Sequence, residues 1–342
     1  MNLEGITLHS LTAYLKQEVT GSRIYKIGMP SNHMVYFSLK RESDTIHFII
    51  DVNPASPAIR LTTEAPDNPQ EPPAFCMLLR KHLEEGRITR IRQYGLDRVI
   101  ELEISLLGRS SQILTKQIII ELTGKNANLI FAENGKILDS LKHVSPYMNS
   151  VRVIQPGYAY NPPPPQPGLD ILTVSPATIV AAIPDEVTSS LWKQLVKATT
   201  GIGKASALQL LSAANIPLSA TYLTPMDRNR LISVITDLQK YLTEKNTTQP
   251  FTAIVTKRNQ CQTISLMRLL MFRKTAILNF SPILMKHYVM QPGYSRQNCP
   301  SRKYYRKQFS PSYEKPIKKS AFCSRTCPFP TMRKGTVSWP TA

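Results

Sequence analysis

The chain has 342 residues, and its 42 lysines and arginines against 23 aspartates and glutamates give a net charge of +19. Residues 257–342 hold 17 of the basic residues and one acidic residue, Glu314, so the preceding part carries only +3. A basic chain indicates an anionic partner such as nucleic acid or a membrane surface, but most of this excess lies in the last quarter of the chain, so the net charge by itself does not indicate a basic folded surface.

Other compositional features exclude several classes of protein. No apolar run approaches the ~20 residues of a membrane-spanning helix, and Glu4 and His9 interrupt the start, where an export signal needs an apolar stretch. Cys76 lies on an apolar helix face, which is typical of a buried reduced thiol. Cys323 and Cys327 lack a second pair at metal-ligand spacing. We therefore predict a cytoplasmic protein with no metal site, no small-molecule cofactor and no membrane partner.

Residues 1–165 have the pattern of an antiparallel sheet domain with two helices. The first helix is predicted at 7–19, and a second one lies between Pro73 and Gly86. In one strand Ile100, Leu102 and Ile104 alternate with glutamates, which is typical of a sheet with one solvated face. Asn134-Gly135 is a strong hairpin signal. Alternation predicts strands at 23–28, 34–40, 46–52, 87–93, 98–106, 113–122, 127–131 and 136–140.

Four consecutive prolines, 162–165, form a stiff connector, and a helical subdomain is predicted at 166–250. Ser175-Pro176 and Thr224-Pro225 are typical helix starts. Gly201-Ile202-Gly203 joins two predicted helices and resembles a helix-hairpin-helix turn. In such a turn Gly201 and Gly203 allow the backbone to approach a phosphate, and Lys204 adds a charge. The alternative is an ordinary corner between two helices.

Residues 251–342 are predicted to be a disordered basic tail. The segment has no sustained helical or strand period, and prolines interrupt it at 282, 292, 300, 311, 316, 328 and 330. Acidic residues disappear while cysteine and proline become more frequent, so we interpret the tail as the product of a change of reading frame near residue 256. The alternative is a genuine RNA-binding tail.

Several ordered motifs are similar to the N-terminal domain of the NFACT family. They are GITLHSLTAYLKQEVTGSRIYKI, PPAFCMLLRKHLEEGRITRIRQYGLDR, IIIELTGKNANLIFAENGKILDSLKHV and SPYMNSVRVIQPGYAYNPPP. The resemblance implies an α+β fold with a β-sandwich-like first domain, on a scaffold similar to the N-terminal part of formamidopyrimidine-DNA glycosylases. Those enzymes use an N-terminal proline amine, whereas here Asn2 follows Met1. We therefore predict a protein that is not an enzyme and has no catalytic residues.

The same resemblance assigns RNA-contacting residues and a role. It implies that Asp97 and Arg98 handle tRNA, that Glu121 is a second family site, and that Lys125 contacts the RNA backbone. The implied function is that of a quality-control factor that binds alanyl-tRNA and the stalled large ribosomal subunit with its peptidyl-tRNA, and promotes template-free alanine tailing. The family's coiled coil does not follow, so this chain is expected to be defective in tailing. The alternative function is a fibronectin-binding surface adhesin.

Overall fold

The computed structural model describes most of the chain up to residue 243 and three strands beyond it. The described ranges are 3–41, 44–108, 111–149, 151–186 and 190–243, together with the backbone of 251–255, 261–265 and 276–280.

The first part of the chain consists of two helices and nine strands. The helices are α1 (Gly5–Val19) and α2 (Ala74–Leu83). The strands are β1 (Arg23–Ser31), β2 (Met34–Lys40), β3 (Thr45–Asp51), β4 (Ala58–Thr62), β5 (Arg87–Gln93), β6 (Val99–Leu107), β7 (Ile113–Glu121), β8 (Asn128–Glu133) and β9 (Lys136–Ser140). The α+β class and all but one of these elements agree with the sequence. The exception is β4, which is not predicted from the sequence; Pro57 directly precedes this strand.

All nine strands form one antiparallel sheet in the order β4-β3-β2-β1-β5-β6-β7-β8-β9. This differs from the predicted sandwich-like arrangement, because β1 and β5 join the two halves. The Ile24 amide donates to the Gly86 carbonyl at 2.8 Å, and the Ile88 amide donates to the Ser22 carbonyl at 3.0 Å. Only Arg23 and Arg87 form a register pair between these strands, so the junction is short.

The main core lies on one face of this sheet, beneath α1 and α2. It contains Leu11 and Leu15 of α1, Leu79 and Leu83 of α2, and alternate residues of the strands. The opposite face of β6 to β8 is also covered, which corrects the predicted solvated face. Val99, Ile119, Ile130 and Ile154 form a second apolar cluster there, and Glu101 is 3% exposed.

A helical subdomain follows the proline connector. Its helices are α3 (Pro176–Ala181), α4 (Leu191–Ala198), α5 (Lys204–Ala213) and α6 (Pro225–Thr243), and the two-residue strands β10 (Leu169–Asp170) and β11 (Thr199–Thr200) pair in parallel. Ile6 of α1 and Leu96 of the β5–β6 loop belong to the core of this subdomain. The helical part therefore packs against the start of the chain.

Three further strands lie in the range for which the sequence predicts a disordered tail. They are β12 (Phe251–Val255), β13 (Cys261–Ser265) and β14 (Ala276–Phe280), in the order β13-β12-β14. The prediction differs here because backbone pairing between short neighbouring segments does not require a long apolar period. The rest of the predicted tail, including residues 281–342, lies outside the described residues. In the described part of the chain, no helix is long and apolar enough to cross a membrane.

Candidate functional site

Asp97 and Arg98 lie in the loop that joins β5 to β6. The Asp97 amide donates to the Tyr94 carbonyl at 2.9 Å, and the Asp97 carboxylate accepts from the Arg98 amide at 2.7 Å and from Gln166 Nε2 at 3.3 Å. Asp97 therefore fixes the backbone of the loop, and its carboxylate does not contact the Arg98 guanidinium. Arg98 is half-buried, and within the described residues its guanidinium has no hydrogen bond or ion pair.

The loop is held against the N-terminus of α1 and the turn before α5. The Ile6 amide donates to the Gly201 carbonyl at 3.1 Å, and Gln93 Nε2 donates to the carbonyls of Gly5 at 3.0 Å and Asp97 at 2.7 Å. A Cβ at Gly5 would overlap the Leu96 carbonyl and lie 2.7 Å from Gly201 Cα. Glycine is thus needed where three segments meet.

Glu4 caps the N-terminus of α5. Its Oε1 accepts from the Ala205 amide at 3.0 Å, and its Oε2 accepts from the Ser206 amide at 3.2 Å and from the Ser206 hydroxyl. A Cβ at Gly203 would lie 2.6 Å from the Glu4 carboxyl carbon. Gly203 therefore makes room for a carboxylate of the protein itself, whereas the sequence predicts an approach to phosphate. A phosphate would have to displace Glu4 from these two amides.

Gly201 and Lys204 have different surroundings. Gly201 has a φ of +78°, and a Cβ there would lie against the Leu96 side chain. The Lys204 side chain is exposed, and its Nζ is 5.0 Å from the centre of the Trp192 ring. Lys193 of α4 places its Nζ 5.7 Å from the same ring. The turn therefore presents side-chain cations beside an aromatic ring.

One cavity unites residues from both parts of the chain. It has a volume of about 570 Å³, and Arg98 lines it from the sheet side while Lys204 lines it from α5. Glu4, Gln166, Gly201 and Gly203 also line it. Asp97 lines a neighbouring cavity of about 370 Å³. The structure thus brings Asp97, Arg98 and the Gly201–Lys204 turn together, although about a hundred residues separate them in the sequence.

Glu121 and Lys125 lie outside this cavity. Glu121 is completely buried, where it accepts from Arg152 Nη1 at 3.1 Å, from Arg152 Nη2 and from the Tyr160 hydroxyl at 2.9 Å. Burial and the neighbouring Glu121 carboxylate raise the pKa of Tyr160. Glu121 therefore anchors the segment around Arg152 and Tyr160, and the tRNA-binding role that the family resemblance assigns to it stays a prediction. Lys125 is exposed in the short 3-10 helix Gly124–Asn126.

A second buried carboxylate, that of Glu101, binds residues that lead into the Asp97 loop. Glu101 accepts from Arg92 Nη2 at 3.0 Å and from the Tyr94 hydroxyl. Burial, followed by this hydrogen bond, raises the pKa of Tyr94 to about 12. Neither these supports nor the roles of Gln93 and Gln166 are predicted from the sequence. The alternation of Glu101 with apolar residues is the only local signal, and it indicates the wrong environment. Across the described residues, no cluster of histidine, cysteine and carboxylate side chains has the arrangement of a metal site.

Comparison with protein families gives one match over most of the chain. The family described as NFACT N-terminal and middle domains matches residues 4–319. That match extends beyond residue 256, near which the sequence predicts a change of reading frame; the change stays a prediction.

Curated relatives match a shorter region. The Rqc2 homolog RqcH of Bacillus subtilis (strain 168) is 32% identical over 223 residues, which are 65% of this chain and 39% of that protein. The Rqc2 homolog RqcH of Streptococcus suis (strain 05ZYH33) is 29% identical over 218 residues, which are 63% of this chain and 39% of that protein. The chain thus spans about two fifths of the length of the curated relatives that it matches.

Solved structures share the fold. The fibrinogen binding protein from Staphylococcus aureus has a TM-score of 0.68 at 22% identity, over 83% of this chain and 98% of that one. The N-terminal part of the fibronectin/fibrinogen-binding protein from Streptococcus suis has a TM-score of 0.64 at 25% identity, over 79% of this chain and 91% of that one.

Proposed function

The chain belongs to the NFACT family, whose pattern matches residues 4–319, and on this premise we propose that it binds tRNA at the cavity lined by Arg98 and Lys204. The observation that carries the proposal is the convergence of these two cations, one from the sheet domain and one from the helical subdomain, on one cavity. Arginine binds phosphate or a base edge through two parallel hydrogen bonds. Since the Arg98 guanidinium has no partner within the described residues, it is available for such a contact.

The surroundings of the cavity fit this role. Asp97 fixes the loop that carries Arg98 through its contact with the Arg98 amide. The half-buried position of the guanidinium limits its freedom before binding, which lowers the entropy lost on binding. Trp192, next to Lys204, offers an aromatic surface of the kind on which nucleobases stack. These residues form a mixed cationic and aromatic surface, which suits a nucleic acid.

The finer function rests on the likeness to the RqcH proteins. We propose that the chain acts in the cytoplasm on alanyl-tRNA and on the stalled large ribosomal subunit with its peptidyl-tRNA, in template-free alanine tailing. In this role it positions tRNA, and the ribosome carries out peptidyl transfer. The matched region is only 39% of the Bacillus subtilis relative, and the defect in tailing that is expected for this chain stays a prediction.

The proposed domain arrangement assigns the two sides of the cavity to separate units. The sheet domain is 1–165, the helical subdomain is 166–250 and the basic tail is 251–342. Lys125 remains a proposed contact to the RNA backbone, outside the cavity.

Binding of fibronectin is the second candidate function, because the Streptococcus suis neighbour is described as a fibronectin/fibrinogen-binding protein.

Fluorescence anisotropy with labelled tRNA at fixed salt tests the first function. Arg98→Ala combined with Lys204→Ala should weaken binding about tenfold or more, since each charged hydrogen bond contributes about 1.5–3 kcal/mol. Lys136→Ala is the matched control, because Lys136 is exposed on the edge strand β9. Equal affinity of the double variant and the wild type would contradict the proposal. Binding to immobilised fibronectin, with no binding to tRNA, would favour the second function.

A further inference from the structure

A second cationic surface lies away from the Arg98 cavity, on the exposed face of three neighbouring strands. We name it the cationic sheet face, and it consists of exposed side chains of β1, β2 and β5. Its members are Arg23, Lys26, Lys40, Arg87, Arg90 and Arg92. Residues that are opposite one another in adjacent antiparallel strands project to the same face. Arg23 is opposite Lys40 of β2 and also opposite Arg87 of β5. Three cations therefore form one row across three strands.

This row is not needed for folding. Like charges that are directly opposite one another destabilise a sheet, and the apolar residues that alternate with them, such as Ile24 and Ile88, already supply the buried side. A charge arrangement that opposes folding indicates a role in binding an anion.

Only part of this charge is neutralised within the protein. Glu85 pairs with Arg23, but the two side chains are 60% and 52% exposed, so water screens the pair. Glu103 is 3.5 Å from Arg90, and Glu101 is 3.0 Å from Arg92. Among the described residues, Lys26, Lys40 and Arg87 have no carboxylate partner, and Arg87 donates only to the Gly21 carbonyl. The six cations of the cationic sheet face thus have three carboxylate partners among the described residues.

The cationic sheet face has a cavity at one end and the Asp97–Arg98 loop at the other. Arg23, Lys40 and Arg87 line a cavity of about 640 Å³ beside the C-terminal end of α1, together with the ion pair of Arg41 and Glu18. From Arg87, β5 runs towards the loop, and its seven residues cover roughly 20 Å at ~3.3 Å per residue. This length is enough for several successive phosphates of one nucleic-acid strand.

We propose that the cationic sheet face binds the sugar-phosphate backbone of RNA as a contact separate from the Arg98 cavity. This inference rests on the proposed function, because it assigns a second part of the same RNA to the protein. The contact is independent of base sequence, since lysine and arginine at this surface meet phosphates. It holds the RNA along β5, and the Arg98 cavity then receives a specific part of it.

The test measures the salt dependence of tRNA binding by the full chain. Lys40→Gln combined with Arg87→Gln removes two cations of the row and leaves a shorter, uncharged polar side chain at each position. The control is Lys136→Gln combined with Lys240→Gln, because both lysines are exposed on other elements, β9 and α6. The slope of log K against log salt is negative, and losing two phosphate contacts should make it shallower by about 1.4–1.8. The control should leave the slope unchanged.

Thermal unfolding and a third variant, Arg98→Ala, separate the possible outcomes. The Lys40/Arg87 variant should melt at the wild-type temperature or above it, because the substitutions relieve repulsion. An unchanged slope and affinity in this variant, while Arg98→Ala still weakens binding, would overturn the inference and leave the proposed function standing. A wild-type chain that does not bind tRNA would overturn both.

Discussion

Glu4→Ala should destabilise the protein, because it removes the cap of a helix that begins about two hundred residues later in the chain. In the structure the Glu4 carboxylate accepts from the amides of Ala205 and Ser206, and the Ser206 hydroxyl also donates to it. Loss of a helix N-cap costs about 0.5–2 kcal/mol, and hydrogen bonds to charged groups contribute about 1.5–3 kcal/mol. Glu4 is only half-buried, so water replaces part of the loss, and we expect about 1.5–3 kcal/mol.

Urea unfolding measures this difference most simply. Glu4→Gln keeps one acceptor oxygen and should lose less than Glu4→Ala. Glu71→Ala is the matched control, since Glu71 is exposed and exposed substitutions usually change the free energy of unfolding by less than about 0.5 kcal/mol. In a double-mutant cycle, Glu4→Ala and Ser206→Ala should be non-additive, because the two residues share a contact. A free energy of unfolding for Glu4→Ala equal to that of the control would refute the capping role.

Three further substitutions test the packing around the site. Gly5→Ala should destabilise the protein severely, because its Cβ would overlap the Leu96 carbonyl; a wild-type melting temperature would contradict the close approach. Arg152→Ala leaves the Glu121 carboxylate buried without its cation and should cost about 3–5 kcal/mol in urea unfolding, and a loss of less than 1 kcal/mol would show that water reaches the carboxylate. Burial raises the pKa of Tyr94 to about 12 in the folded protein from its ordinary value of 10.0, so its contribution to stability is complete below pH 10 and is lost as the pH rises towards 12. Urea midpoints measured across this range should fall less in Tyr94→Phe than in the wild type, and parallel curves would contradict this.

The individual strands were predictable from local patterns, but their joining into one continuous sheet was not. Alternation along 98–106 and the Asn134-Gly135 turn correctly indicate β6 and the β8–β9 hairpin, because side-chain period and turn chemistry are local properties. Pairing between β1 and β5 depends on strands that are far apart in the sequence, so no local pattern distinguishes one continuous sheet from a sandwich.

The candidate site was predictable in its members and not in their partners. Arg98 and Lys204 were both identified, and the structure brings them to one cavity. The sequence could not show that Glu4 caps α5 or that Arg152 binds Glu121, because both contacts join distant segments. Glu121 illustrates the consequence, since a carboxylate after a run of isoleucines could equally face solvent or lie in a buried ion pair.

The most direct test of the central claim is ultraviolet cross-linking of the full chain to tRNA, followed by mass spectrometry of the linked peptides. If the cavity lined by Arg98 and Lys204 binds tRNA, cross-links should occur in the Asp97–Arg98 loop, near Trp192 of α4 and near Lys204 at the start of α5. Arg98→Ala combined with Lys204→Ala should reduce these cross-links. Cross-links that avoid both segments and do not change in the double variant would contradict the claim.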